Sequence, residues 1–385
     1  MIAVRSLIPT KFARCLWLFV AAFALVARAG AEPAPTDLAR KLEDIFLTAK
    51  APAMVAALVD GDRTYVYGVA ARGEQPSGRT LVRINSLTKA MTGEILANLV
   101  AEGRVHLDDA VSTYAPPRRR IPRAPGAREI TLRDLVAHAS GLPRDMPAGL
   151  ERSARWAWLA RLKLARAPGQ FAEYSNAAYM VLGDALSAAA GKSYAALLSQ
   201  FVTAPLALAD TTLAPAAEQC GRLMETGRTD HPCAPTFAID AMGGVYSTAD
   251  DMARWMRAEL RAEPGSPRAL AHEPVVTRAE LKRVVNLDMA GPMDAIAMGW
   301  LRMRLGTLPV LQKTGGGGNF MNYVILAPTR GKGLFITVSR VDIEMLRRLT
   351  SSANELMRDW TLVPSANATG MDQSSRARSG RELQP

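Results

Sequence analysis

The sequence predicts an α+β protein in which an antiparallel sheet, made from both ends of the chain, carries a large and mostly helical insertion. Strand-like apolar runs occur near the N-terminus and again in the last third, and helical periodicity dominates between them. The α/β part should comprise about 36–85 and 291–360, and the helical part about 86–290. Because clefts between such parts favour ligands, we expect the active site there.

The N-terminal elements are predicted to be a helix and a hairpin. Thr36 has the character of an N-cap, and apolar residues at helical spacing carry the helix to about Lys50. The apolar run 54–59 and the run 64–70 are separated by the turn sequence Asp60-Gly61-Asp62. This arrangement predicts a β-hairpin.

Helical patterns fill the middle of the chain, and strands return after it. The predicted helices span 90–101, 132–138 with Thr131 as cap, 151–166, 177–190, and a segment opened by Thr248 that runs through Leu260. The predicted strands lie near 296–304, 309–314, 320–327 and 334–339, and a helix follows over 342–360. Helices at both ends of the chain should therefore pack on the sheet.

The two termini are predicted to lie outside the folded domain of 32–363. Residues 1–31 combine a basic start, the twelve-residue apolar run 15–26 and small residues up to Ala31. This is the pattern of a cleaved secretory signal peptide, and the run is shorter than the roughly 20 residues of a membrane span. The polar stretch 364–385 has no periodicity and predicts a disordered tail.

Export leaves two cysteines, Cys220 and Cys233, in a Gly/Pro/Thr-rich stretch. Two cysteines in an oxidising compartment predict one disulfide, with two free thiols as the alternative. The four histidines are scattered, and no second cysteine pair is available. We therefore expect no metal site and no cofactor.

The charge of the chain is basic but dispersed. Removing the four basic residues that precede Glu32 lowers the formal net charge from +11 to +7. A basic exported protein is suited to peripheral association with an anionic cell wall or membrane surface. The one dense basic run, 118–120, has no interleaved aromatic residues, so we expect no nucleic-acid binding.

The first chemical motif is Ser86-Leu87-Thr88-Lys89, at the start of a helical pattern. Ser86 and Lys89 lie one helical turn apart and share a face. The helix dipole, partial burial and a second cation, Lys313, should all lower the pKa of the Lys89 amine. A neutral Lys89 is able to accept the Ser86 proton, so both residues are predicted to be catalytic.

The second motif is Tyr174-Ser175-Asn176. Tyr174 is an alternative base, because a phenolate near Lys89 and Lys313 should form more easily than in water. Asn176 is predicted to bind substrate, or to contact Lys89, through its amide. The sequence leaves open whether Lys89 or Tyr174 takes the proton.

The third motif, Lys313-Thr314-Gly315, stands at the end of a predicted strand. Lys313 and the Thr314 hydroxyl together suit a substrate carboxylate. Four consecutive glycines clear the strand edge, so a substrate backbone is able to pair with it. The N–H of Gly316, with that of Ser86, is the predicted oxyanion hole. Lys313 is therefore assigned to catalysis, and Thr314, Gly315 and Gly316 to substrate binding.

Each motif alone has a structural explanation: a helix cap, a turn and a flexible glycine loop. The ordered set is far more specific, and serine β-lactamases and penicillin-binding proteins carry S-x-x-K together with K-T-G. The chain resembles the class C β-lactamase and low-molecular-weight penicillin-binding protein superfamily, and most closely its AmpH-type D-alanyl-D-alanine carboxypeptidase/endopeptidase branch. The further motifs that carry the resemblance are Thr131-Leu132-Arg133-Asp134-Leu135, Ser140-Gly141-Leu142-Pro143, Tyr114-Ala115-Pro116-Pro117, the pair Cys220/Cys233, Gly243-Gly244-Val245-Tyr246-Ser247-Thr248 and Gln312-Lys313-Thr314.

The resemblance implies a periplasmic enzyme that acts on peptidoglycan peptides. Ser86 would attack the carbonyl of the penultimate D-alanine, Lys313 and Thr314 would hold the terminal carboxylate, and β-lactams would acylate Ser86. The alternatives are a class C-like β-lactamase, a serine esterase and a β-lactam-binding sensor without turnover. Arg144 and Asp145 stand where class C β-lactamases commonly carry other residues, so the substrate preference is open.

Overall fold

A nine-stranded sheet built from both ends of the chain forms the centre of the fold. The computed structural model describes residues 32–227 and 233–362, so the predicted signal peptide (1–31) and tail (364–385) lie outside the described residues. The strands, in chain order, are β1 (Glu32–Pro33), β2 (Ala53–Asp60), β3 (Arg63–Ala70), β4 (Leu81–Arg83), β5 (Phe171–Glu173), β6 (Tyr246–Thr248), β7 (Val276–Thr277), β8 (Arg283–Val285), β9 (Met293–Ile296), β10 (Leu301–Leu305), β11 (Leu308–Gly317), β12 (Phe320–Ala327) and β13 (Lys332–Val338).

The order of strands across the main sheet is β1-β3-β2-β13-β12-β11-β10-β9-β7. All neighbours are antiparallel except β1 and β3, which are parallel. The predicted hairpin is β2–β3, and β13 pairs with β2 from Lys332↔Asp60 to Val338↔Met54. The two ends of the chain therefore meet in the middle of one sheet, and the predicted α+β class is confirmed.

Helices cover both faces of this sheet. In chain order they are α1 (Thr36–Ala49), α2 (Thr88–Ala101), α3 (Leu132–Val136), α4 (Arg152–Leu159), α5 (Asn176–Ala190), α6 (Tyr194–Leu198), α7 (Ala217–Cys220), α8 (Asp240–Gly243), α9 (Ala249–Leu260), α10 (Pro267–His272) and α11 (Ile343–Leu362). Buried residues of α1 and α11 form one core with one face of the sheet, and α2, α5 and α9 form the larger core on the other face. Within the described ranges, none of the helices has the length and apolar character needed to cross a bilayer.

Several strands differ from their predicted bounds. The single strand predicted near 296–304 is two strands, β9 and β10, because the chain turns at Gly299 with a φ of +83°. The short strand β7 lies within the predicted helical part but pairs with β9 in the main sheet. The strand predicted to end near Thr314 continues to Gly317, because each of these glycines pairs with β12.

The predicted helix caps match the structure better than the predicted helix lengths do. Thr131 is the predicted cap of α3 and forms a capping box with Asp134, and Thr248, the predicted cap of α9, accepts a hydrogen bond from the backbone N–H of Asp251. Thr36 is the first helical residue rather than the cap. The helix predicted over 151–166 ends at Leu159, which shows that its Ala/Leu/Arg composition favours a helix without enforcing one.

The predicted disulfide is present between Cys220, the last residue of α7, and Cys233. It closes a loop with a sequence separation of 13 residues. Replacing both cysteines by serine is expected to lower the free energy of unfolding by about 2–3 kcal/mol, since the unfolded chain regains the entropy of that loop. Urea denaturation of the two proteins measures the difference. Reductant should destabilise the parent and leave the double variant unchanged; equal effects on both would contradict the prediction.

Candidate active site

The predicted nucleophile lies in a short 3₁₀ turn, Asn85–Leu87, that leads directly into α2. The Ser86 Oγ is 3.1 Å from the Lys89 Nζ and 2.6 Å from the Tyr174 Oη. Ser86 is half-buried and Lys89 is fully buried. The structure therefore brings the first and second motifs into hydrogen-bonding contact around one hydroxyl group.

Asn85 fixes the position of this turn. Its φ of +50° lies in the left-handed region, which asparagine tolerates better than most residues. The Asn85 side-chain amide donates to the carbonyl oxygens of Gly317 and Phe320, at 2.9 and 3.2 Å, at the junction of β11 and β12. The sequence does not reveal this role of Asn85, because an asparagine before a serine gives no signal of a partner more than 200 residues away.

The hydrogen bonds around Lys89 are compatible with a neutral amine that faces the Ser86 hydroxyl. Besides Ser86, its Nζ contacts the Asn176 Oδ1 at 2.8 Å and the Met242 carbonyl oxygen at 2.6 Å. The Asp145 carboxylate accepts from the Asn176 Nδ2 at 2.6 Å, so the Asn176 oxygen must face Lys89. Both contacts are acceptors, and two N–H groups satisfy them. The lone pair of a neutral amine is then left to accept the Ser86 proton.

The electrostatic surroundings of Lys89 favour its neutral form. Burial lowers the pKa of Lys89 well below its ordinary value, the cations Lys313 and Arg144 lower it further, and Asp145 opposes them. Burial also lowers the pKa of Lys313 to about 7. Both Nζ atoms lie close to the Tyr174 ring, at 5.0 Å for Lys89 and 5.1 Å for Lys313 from its centroid. The third motif therefore converges on the same site.

The expectation of an easily formed Tyr174 phenolate is wrong. Burial raises the pKa of Tyr174 to about 12, and this outweighs the effects of its hydrogen bond with Ser86 and of the charge of Arg144. Desolvation penalises the phenolate more than the nearby cations stabilise it. At neutral pH Tyr174 is protonated and donates its hydrogen bond to Ser86.

A buried histidine supports the Tyr174-Ser175-Asn176 motif from behind. The His138 ring stacks on Tyr174 with centroids 4.8 Å apart, and its Nδ1 accepts from the backbone N–H of Ser175 at 3.0 Å. Burial lowers the pKa of His138 well below its ordinary value, with Lys313 and Lys89 acting in the same direction. Ser175 is the cap of α5, and its side chain accepts from the backbone N–H of Ala178. In the sequence His138 is one of four scattered histidines, and nothing there indicates its contact with Ser175.

The third motif presents an open strand edge. Residues 308–312 of β11 pair with β10, whereas the pairs recorded for 313–317 within the described chain are with β12 alone. A Cβ at Gly315 would lie 3.0 Å from the Ser86 backbone nitrogen, so this edge passes directly beside the nucleophile. The predicted oxyanion hole of Ser86 and Gly316 remains a prediction.

Strand alternation separates Lys313 from Thr314. Lys313 pairs with Val324, which belongs to the core on the helical side, whereas Thr314 pairs with Tyr323, in the core beneath α1 and α11. The two side chains therefore start from opposite faces of the sheet. A carboxylate held by both, as predicted, would have to lie over the open edge of β11.

The described residues contain no cluster of three or more His, Cys, Asp or Glu side chains able to hold a metal ion. A cavity of about 780 Å³, lined by Arg72, Arg79 and Glu225 among others, includes none of the predicted site residues.

A serine contacted by a lysine and a tyrosine, beside the open edge of an antiparallel sheet, is the arrangement of the penicillin-recognising serine hydrolases. The chain belongs to this class: residues 36–355 match the family model described as Beta-lactamase. Over 338 residues it is 38% identical to the D-alanyl-D-alanine-carboxypeptidase/endopeptidase AmpH of Escherichia coli (strain K12), with 83% of this chain and 88% of that protein covered. The resemblance seen in the sequence is confirmed.

Solved structures agree with this assignment. A β-lactamase/D-alanine carboxypeptidase from Yersinia pestis, complexed with citrate, superposes with a TM-score of 0.78 at 34% identity, covering 84% of this chain and 98% of that one. A class C β-lactamase from Rhodobacter sphaeroides gives a TM-score of 0.70 at 21% identity, covering 84% and 99%. The second comparison shows the shared fold alone.

Proposed function

We propose that the protein is a periplasmic DD-carboxypeptidase/endopeptidase that cleaves peptidoglycan peptides through an acyl-enzyme on Ser86. The observation that carries the proposal is the convergence of the Lys89 Nζ and the Tyr174 Oη on the Ser86 Oγ. The similarity to a named D-alanyl-D-alanine-carboxypeptidase/endopeptidase supports this substrate class. The signal-peptide pattern of 1–31 supports export, and the basic charge supports peripheral association with wall or membrane.

We infer that Lys89 is the base that activates Ser86. The neutral amine takes the Ser86 proton as the Oγ attacks the carbonyl carbon of the penultimate D-alanine. When the C–N bond breaks, the departing amine needs a proton, and the protonated Lys89 supplies it and becomes neutral again. Water then attacks the ester, Lys89 accepts its proton, and Lys89 returns that proton to the Ser86 Oγ as the ester C–O bond breaks. Tyr174 remains a donor throughout, in keeping with its raised pKa.

We infer that the substrate binds as an added strand along β11. Residues 313–317 offer an edge with few side chains, and Lys313 lies beside it as a buried amine. A substrate carboxylate brought next to Lys313 stabilises its protonated form, so a pKa of about 7 allows the amine to gain its charge on binding. The terminal carboxylate of a D-Ala-D-Ala peptide meets this requirement.

A panel of substrates tests the proposal. The mature protein is incubated with a D-Ala-D-Ala muropeptide, a cross-linked muropeptide, a chromogenic cephalosporin and a short-chain ester. We expect release of D-alanine or of the cross-linked amine, and stable labelling of Ser86 by a fluorescent penicillin. Ser86→Ala should abolish both. Rapid turnover of the cephalosporin alone would favour a β-lactamase, of the ester alone an esterase, and labelling without any product a sensor.

A further inference from the structure

Two adjacent residues of opposite charge, Arg144 and Asp145, lie at the mouth of the site and have no part in the mechanism above. Their side chains are 55% and 56% exposed, and the Arg144 Nε is 3.6 Å from the Asp145 Oδ2. Charges on an exposed loop are usually solvated and carry little energy. These two differ, because each contacts a residue that contacts Lys89 or Ser86.

Asp145 acts on Lys89 through Asn176. The Asp145 Oδ1 accepts from the Asn176 Nδ2 at 2.6 Å, and the Asn176 Oδ1 accepts from the Lys89 Nζ at 2.8 Å. A carboxylate only accepts hydrogen bonds, so it fixes which end of the Asn176 amide faces Lys89. Without it the amide is free to rotate and present N–H groups to the amine.

Arg144 lies on the Tyr174 side of the site and also affects Lys89. Its guanidinium carbon lies 5.0 Å from the centroid of the Tyr174 ring, whose hydroxyl holds Ser86. Its carbonyl oxygen accepts from the backbone N–H groups of Asn176 and Ala177, at 2.6 and 3.2 Å. The backbone of Arg144 is therefore fixed to the segment that carries Asn176, and its guanidinium lies over the Tyr174 ring.

We propose that Arg144 and Asp145 are a pair of positioning residues that set, with opposite signs, the readiness of Lys89 to accept the Ser86 proton, and that Asp145 in addition orients Asn176. The proposal deepens the proposed function, because it rests on Lys89 as the base. The other titratable groups around Lys89 are one amine, which opposes its protonation, and three rings that carry no charge at neutral pH. They are Lys313 on β11, Tyr174 before α5, Tyr179 within α5, and His138 after α3.

The electrostatics of the pair support this division of roles. Arg144 lowers the pKa of Lys89 and Asp145 raises it, on top of the larger effects of burial and Lys313. Asp145 is the one group among these causes that favours the charged amine. Removing either member of the pair should therefore move the titration of Lys89, and the two removals should move it in opposite directions.

The experiment is an NMR titration of the full-length mature protein labelled with ¹³Cε-lysine, which needs no substrate. The Lys89 signal is assigned by its loss in Lys89→Arg. We expect Asp145→Asn to shift the Lys89 titration to lower pH and Arg144→Gln to shift it to higher pH. Arg144→Lys, which keeps the charge, should titrate like the parent. Glu344→Gln, which removes an exposed charge on α11 far along the chain, is the matched control and should not move the signal.

A second measurement isolates the orientation of Asn176. Asp145→Asn keeps an oxygen that accepts from the Asn176 amide, whereas Asp145→Leu does not. The rate of Ser86 labelling by a fluorescent penicillin, measured at the pH optimum of each variant, should be about tenfold lower in Asp145→Leu than in Asp145→Asn.

Each part of the proposal is overturned by a different result. Lys89 signals that stay in place, or that move in the same direction in both charge variants, would overturn the pair as an opposed control of Lys89. Equal labelling rates for Asp145→Leu and Asp145→Asn would overturn the orienting role. If no muropeptide is cleaved by the parent protein, the proposed substrate fails, but the NMR titration still decides this inference.

Discussion

Replacing Lys89 by methionine is expected to slow acylation of Ser86 by about 10²- to 10⁴-fold, the usual contribution of a positioned general base. Methionine matches the length of the buried stem but has no nitrogen to accept the Ser86 proton. Tyr174 cannot take over at neutral pH, because burial raises its pKa to about 12. The rate of labelling with a fluorescent penicillin, under single-turnover conditions, measures the loss.

A second buried lysine provides the matched control. Lys332, 1% exposed, donates to the Trp360 carbonyl oxygen and is the first residue of the central strand β13, which β12 separates from β11. Lys332→Met should lower the free energy of unfolding, because that carbonyl loses its donor, while each folded molecule acylates at the parent rate. If Lys89→Met labelled nearly as fast as the parent, Lys89 would not be the base, and Tyr174 would have to activate Ser86 in spite of its pKa.

The Lys89→Met variant should also change how stability depends on pH. The native pKa of Lys89 lies well below the value of 10.5 expected for the unfolded chain, so between the two values the unfolded chain binds more protons. The free energy of unfolding therefore rises with pH across that interval. Lys89→Met removes this contribution. The variant keeps a similar contribution from Lys313, which acts between about pH 7, its native pKa, and pH 10.5, the value expected for the unfolded chain.

The convergence of the site could be predicted because the chemistry requires it. Ser86 and Lys89 are one helical turn apart, and local geometry alone places them together. Tyr174 and Lys313 are far away in the chain, and no pattern of spacing brings them near Ser86. What predicted their meeting was that a nucleophile, a base and an anion-binding cation are useful only as a set.

The properties that the sequence did not predict are those that burial decides. The pKa of Tyr174 depends on how much water the packed site excludes, and composition carries no measure of that. The roles of His138 and Asp145 depend on contacts with Ser175 and Asn176, which lie more than 30 residues away. The sequence also did not predict that β11 continues through its glycines. Pairing with β12 and the hydrogen bond from Asn85 outweigh the weak strand preference of glycine, and both depend on residues distant in the chain.

Helix α2, which positions Ser86 and Lys89, packs backbone to backbone against the turn between β9 and β10, and this contact predicts a large effect of Gly93→Ala. A Cβ at Gly93 would lie 1.8 Å from the Met298 carbonyl oxygen, and one at Gly299 would lie 2.1 Å from the Lys89 carbonyl oxygen. In an unconstrained helix the change from glycine to alanine stabilises by about 1 kcal/mol. Here we expect the opposite sign, a loss of about 3 kcal/mol or more, because neither backbone is able to yield without moving the other.

Gly306 is the matched control for Gly93→Ala. A Cβ at Gly306, in the turn between β10 and β11, would meet nothing within 4 Å, but its φ of +64° disfavours alanine. Gly306→Ala should therefore cost only about 1–2 kcal/mol, and urea denaturation distinguishes the two. Gly93 follows Lys89 by about one turn of α2, so Gly93→Ala should also slow Ser86 labelling, whereas Gly306→Ala should not. A Gly93→Ala protein as stable and as reactive as the parent would mean that α2 shifts freely against the turn, and that the turn does not fix the position of Lys89.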